Sequence, residues 1–97
     1  MILNVMIFKN HVLDCFTTPN FIDGDAAKAG VQLARSIKLG LDSNDVKVLN
    51  YRTLELFHFG TFDDETGKIS FFEEPISVLD CRTLFPKAVV EADAKAN

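Results

Sequence analysis

The sequence predicts an α+β domain of element order β-β-α-β-β, a four-stranded antiparallel sheet with one amphipathic helix on one face. Three observations carry that expectation: an apolar strand followed by a short polar turn, a helical repeat of apolar positions, and an acidic turn between two aromatic strands.

Residues 1–8 are apolar apart from Asn4 and rich in Ile, Val and Phe, which suits a strand apolar on both faces. The polar Lys9-Asn10-His11 connects it to residues 12–17, a second strand ended by Pro19-Asn20, so the first pair reads as a hairpin. Asp23-Gly24-Asp25 then opens a helix, because an Asp there accepts hydrogen bonds from first-turn amides that have no other partner. Within the helix Ala27, Gly30, Ala34, Ile37 and Leu41 recur at spacings of three and four, flanked by Val31 and Leu33, which turns one side onto a sheet. Gly30 weakens a helix by about 1 kcal/mol relative to Ala, and a close approach to the sheet would compensate. Gly40 or Asp42-Ser43-Asn44-Asp45 ends the helix, and a connector runs to about Arg52.

Residues 54–62, the turn at 63–68 and residues 69–72 form the second hairpin. Gly67 supplies the left-handed residue that closes the turn, and the acids solvate it. Pro75 is expected to end the fourth strand, residues 76–85 fit either a short strand or a turn of helix, and residues 88–97 read as a polar, flexible tail to a single domain over 1–87. On the third strand Phe57 and Phe59 share one face, and Leu56, His58 and Phe62 the other. That is more apolar surface than one helix covers, so a homodimer or a partner on the open face is expected.

The whole chain has 97 residues, too few for two independent cores. Fourteen Asp and Glu against ten Lys and Arg give a net charge of −4, which argues against a nucleic-acid condenser or a basic membrane-surface peptide. No basic start precedes the first apolar run and its length falls short of a membrane span, so neither a secretory signal nor a membrane anchor is indicated and a cytoplasmic location is expected. Cys15 and Cys81 follow no C-x-x-C pattern and read as two buried free thiols, with an enclosing disulfide as the alternative.

Chemistry-bearing groups are few. Asp63, Asp64 and Glu65 invite a metal-dependent nuclease reading, but three neighbours in one turn do not converge on a cation as two-metal chemistry requires, and a solvated turn is the simpler account. His11, His58, Cys15 and Cys81 could supply four zinc ligands, although nothing in their spacing calls for it. No nucleophile elbow, glycine-rich phosphate loop or H-E-x-x-H is present, so the expectation is a noncatalytic protein without cofactor or metal. Two surfaces remain. Lys28, Gln32 and Arg35 lie one turn apart on the outer helix face with Lys38 to the side, a cationic stripe able to meet phosphates if Lys47 or Arg52 joins; the alternative is the solvated side of any amphipathic helix. On the open sheet face Phe57, Phe59 or Phe71 could stack on single-stranded bases, or serve as core or dimer contacts.

The stretch Leu56-Phe57-His58-Phe59-Gly60-Thr61-Phe62-Asp63-Asp64-Glu65-Thr66-Gly67-Lys68 resembles the hallmark segment of a small nonstructural protein of gokushoviruses, microvirus phages with circular single-stranded DNA genomes, whose members carry a similar L-F-x-I-G-x-F-D-D-x-T-G run. The resemblance extends more loosely over residues 1–75, through Asn4-Val5 and Pro19-Asn20-Phe21. It departs in the connector, which is longer and has Tyr51-Arg52-Thr53 where the family has Pro-Glu-Asp. The resemblance implies a phage protein of the host cytoplasm that binds single-stranded DNA and assists genome replication or packaging, and it supplies no catalytic residues. A protein–protein adaptor contacting phage or host replication proteins, without touching DNA, is the other expectation.

Overall fold

The computed structural model describes residues 1–86, so the tail expected over residues 88–97 lies outside the described residues. The fold is α+β: an open antiparallel sheet of five strands with one main helix, in the expected chain order. Strand β1 (Ile2–Asn10) lies at the centre, paired with β2 (Cys15–Phe16) and β3 (Asn20–Ile22) on one side and β4 (Leu54–Asp63) on the other; β5 (Ile69–Asp80) forms the far edge beside β4.

The second strand is shorter and later than expected. Asn10 accepts from the Val12 and Leu13 amides and holds them in the turn, so pairing with β1 starts only at Cys15. Pro19 has no amide to donate and interrupts the strand, which resumes opposite Val5 as β3. The strand expected over residues 12–17 is thus reduced to Cys15–Phe16, and β3, which the sequence reading did not include, shares the same edge of β1, hence five strands and not four.

The opposite correction applies at Pro75. It does not end the fourth strand, because β5 is an edge strand and Pro75 falls in a wide bulge: His58 pairs with Ile76 while Gly60 pairs with Phe71, leaving residues 72–75 opposite Phe59 alone. A proline is tolerated where no partner needs its amide. Residues 76–85, for which two conformations were open, contain both in succession: β5 runs to Asp80, and a 3-10 turn, Cys81–Leu84, follows.

Helix α1 (Ala26–Asp42) starts as expected, with Asp25 accepting from the Ala27 amide at 2.8 Å, and ends at Ser43 just before Asn44 turns left-handed at φ 57°. Its buried residues are Gly30, Ile37 and Gly40. Ala27, expected on the apolar stripe, is exposed. A Cβ on Gly30 would sit 2.5 Å from a Val78 methyl, so the missing side chain lets α1 settle against β5. Ile37 packs with Cys81 and Phe85, and Phe8, Leu33, Leu79 and the connector residues Val48, Leu49 and Tyr51 close around them. That connector is a 3-10 helix, Val46–Tyr51.

Candidate functional site: two unpartnered surfaces

Pairing across the ladders fixes which side chains share a face, because directly paired residues project to the same side. Met6 pairs with His58 and Phe8 with Leu56; these face α1, and Met6 and Leu56 are buried there. On the other side Leu3 pairs with Phe62, Val5 with Gly60 and Phe21, Ile7 with Phe57, and Lys9 with Phe16. The Leu3–Phe62 pair is a correction to the expected faces of β4. Between Val5 and Met6 the β4 register slips by one residue, so Phe59 is extra and Phe62 crosses to the side of Phe57. Gly60 makes the slip feasible, since a Cβ there would collide with the Ser70 carbonyl oxygen and lie 2.9 Å from the Phe71 Cα.

Six phenylalanines therefore share the open face. Phe57 and Phe59 meet at a centroid distance of 6.4 Å, Phe16 meets Phe59 edge-on at 5.6 Å, and Phe21 lies 5.1 Å from Phe62. Phe71, paired to Gly60, is 67% exposed. The sequence singled out Phe57, Phe59 and Phe71, and the structure brings all three to this face. Phe16, Phe21 and Phe62 were missed; for Phe62 the available signal was Gly60 inside a strand, which marks a bulge and hence a change of phase.

Charge on this face sits at its ends. Lys9 stands over the Phe16 ring at 5.7 Å and 3.3 Å from Asp14, and Glu55 accepts from Ser77 at 2.5 Å and lies 2.7 Å from the His11 ring. At the opposite end the β4–β5 turn holds Asp63, Asp64 and Glu65. Asp63 caps the turn through the Glu65 amide, a bond that holds its carboxyl below the usual range, and the Met1 amino group lies 2.8 Å from Asp64. A strand-bound nucleic acid needs free cations along its path, whereas here Lys9 is paired with Asp14, Arg82 with Asp80 beside Glu55, and the Met1 amino group with Asp64 and Glu65. The aromatic face is thus better suited to protein than to phosphate.

The cations lie on the far side of the molecule. Lys28, Gln32, Arg35 and Lys38 are all exposed on the outer face of α1, and none of the three cations has an ion-pair partner among the described residues. From Ala26 to Asp42 the only acid is Asp42 itself, at the last position. Lys28 and Arg35 are about 10 Å apart along the axis. Exposed Val31 and Leu39 lie beside them, and with Ala34, Arg35 and Lys38 they line a shallow depression. Lys47 is exposed on the connector, whereas Arg52 donates to the Leu49 carbonyl at 2.6 Å and is engaged there.

The remaining candidates are dispersed. His58 is bound to the Gly60 carbonyl at 3.0 Å and packs edge-on against Phe72, on the helix side of the sheet, whereas His11 lies in the turn after β1. Cys81 is buried, but Cys15, expected to be buried, is exposed on the edge strand β2, and both are free thiols. Among the described residues no three His, Cys, Asp or Glu side chains gather as metal ligands, and no helix is long and apolar enough to cross a membrane. No family model, curated protein or solved structure matches the chain.

Proposed function

We propose that the protein is a noncatalytic accessory of phage genome replication or packaging that holds the phosphodiester backbone of single-stranded DNA on the outer face of α1, through Lys28, Arg35 and Lys38 with Gln32 beside them. One observation carries this reading: on a chain of net charge −4, these three cations share an exposed helix face with no acid paired to them among the described residues. Had the stripe been neutralised by neighbouring carboxylates, the net charge would repel phosphate everywhere. The phage setting rests on the resemblance of residues 56–68, and the host cytoplasm follows from it.

Fluorescence anisotropy with a labelled single-stranded oligonucleotide tests the reading. Three phosphate contacts on a single strand predict roughly twentyfold weaker binding at 200 mM than at 50 mM salt. Lys28→Glu with Arg35→Glu removes the binding; no binding at 50 mM salt, or binding indifferent to these changes, rejects the stripe. The second reading, an adaptor that contacts replication proteins and no DNA, is favoured by the aromatic face, which has no use in phosphate binding.

A further inference from the structure

We infer that the open sheet face is covered by a second copy of this chain, packed face to face with its strands reversed, so that the dimer is a helix-sheet-sheet-helix sandwich with a cationic helix row on each outer side. The bivalent DNA arrangement rests on the phosphate-binding reading above; the dimer itself does not.

Area argues for a second copy. Phe16, Phe21 and Phe71 are 55%, 48% and 67% exposed, and at about 200 Å² per ring they alone present about 340 Å² of apolar surface. Ile69, 45% exposed and paired to Phe62, joins them, as do the partly covered Leu3, Ile7, Phe57, Phe59 and Phe62. The continuous patch thereby exceeds the roughly 300–600 Å² seen on ordinary monomers and approaches the ~800 Å² per partner of a stable interface. Two such faces pack as the inner layers of a sandwich about 10 Å apart, each the apolar counterpart of the other.

The edges do not offer an easier route to association. Along β5 the bulge at residues 72–75 carries Glu73, Glu74 and Pro75, and the opposite edge is interrupted at Pro19, so neither presents a flat strand to a neighbour. Charge then selects the orientation. A two-fold axis along the strands would set Lys9 against Lys9 and one acidic turn against the other. An axis across the strands sets Lys9 of each copy, which has Asp14 at 3.3 Å, toward the turn of the other, where Glu65 is 82% exposed with the Met1 amino group at 3.5 Å.

Light scattering at micromolar concentration is expected to give twice 10.8 kDa without DNA. Phe71→Glu and Ile69→Glu, both at exposed positions, each weaken the dimer at least tenfold while circular dichroism stays that of the parent. In a Cys15→Ser background, chains carrying Lys9→Cys mixed with chains carrying Glu65→Cys are joined by a short bis-maleimide, whereas Lys9→Cys alone is not. A monomer at 100 µM, a dimer indifferent to both Glu substitutions, or cross-linking of Lys9→Cys to itself overturns the proposal. For the bivalent arrangement, bead-bound single-stranded DNA should capture a second labelled strand through the wild type and lose it with Phe71→Glu. A dimer that binds no DNA rejects the stripe and leaves the sandwich standing; a monomer that binds DNA does the reverse.

Discussion

On one side of the sheet Met6 and Leu56 are sealed beneath α1 and the connector, while across the same strands Val5 is buried beneath half-covered aromatic side chains, and Phe16, Phe21 and Phe71 stand about half or more in solvent. The two faces share one backbone and one set of ladders, so the contrast does not arise from strand chemistry. It arises from supply: the chain between β3 and β4 provides one helix and one 3-10 turn, both committed to the Ile37, Cys81 and Phe85 cluster, and among the described residues none is left for the other face. Hydrophobic content says how much surface must be hidden, and connectivity decides which surface is hidden by the chain itself.

Truncating one side chain from the covering helix and one from the open face puts the contrast to its largest test. Ile37→Ala removes a fully buried side chain and is expected to lower stability by about 4 kcal/mol in urea unfolding. Phe71→Ala, measured dilute enough to keep the chain monomeric, should change it by no more than about 0.5 kcal/mol. Equal costs would mean that Phe71 is packed and the open face is not open.

A second pair compares the two close approaches. At Gly60 an added Cβ meets backbone atoms of Ser70 and Phe71, which cannot rotate away, so Gly60→Ala should destabilise by about 3 kcal/mol and disturb the bulge that sets the aromatic face. At Gly30 the nearest obstacle is a Val78 methyl at 2.5 Å, the backbone stands back with the Val78 carbonyl oxygen at 3.3 Å, and Ala favours the helix by about 1 kcal/mol. Gly30→Ala should therefore stay within about 1 kcal/mol of the parent. A Gly60→Ala protein as stable as the parent would show that the bulge, and with it the placement of Phe62, does not depend on glycine.

The last contrast lies in the two thiols, one buried and one exposed. Burial, with the Asp80 carboxylate adding to it, pushes the Cys81 thiol up to about 11. A group raised on folding stabilises fully below its unfolded value of 9.0, and that contribution is lost as pH climbs toward about 11. Stability should thus fall across this alkaline window, and Cys81→Ala should flatten the fall. At pH 8 one thiol per folded chain, Cys15, should react with a thiol reagent. Two reactive thiols in the folded protein would break the distinction.

Much of this was legible in the residues. Asp25 capping α1, the turn closed by Gly67 and the apolar helix stripe through Ile37 are local effects, settled within a few residues of chain, and they stand where the sequence places them. The cations of the stripe were legible for the same reason, since helical spacing alone puts Lys28 and Arg35 on one side. Less legible were features that depend on a neighbouring strand. Pro75 reads as a stop, yet an edge strand opposite a bulge does not need its amide, and Phe62 reads by alternation as sharing a face with Leu56 and His58 until the slip at Phe59 carries it across.

What the sequence determined by itself is the element order, the caps and turns, and the separation of cations onto the helix, because each follows from torsional preference and spacing along one segment. Only the tertiary structure decided the shortening of the second strand and the addition of β3, the run of β5 through Pro75 and the gathering of six phenylalanines on one face. Those depend on register, and register is set by pairing between segments distant in sequence, where a one-residue slip moves every later side chain to the opposite side.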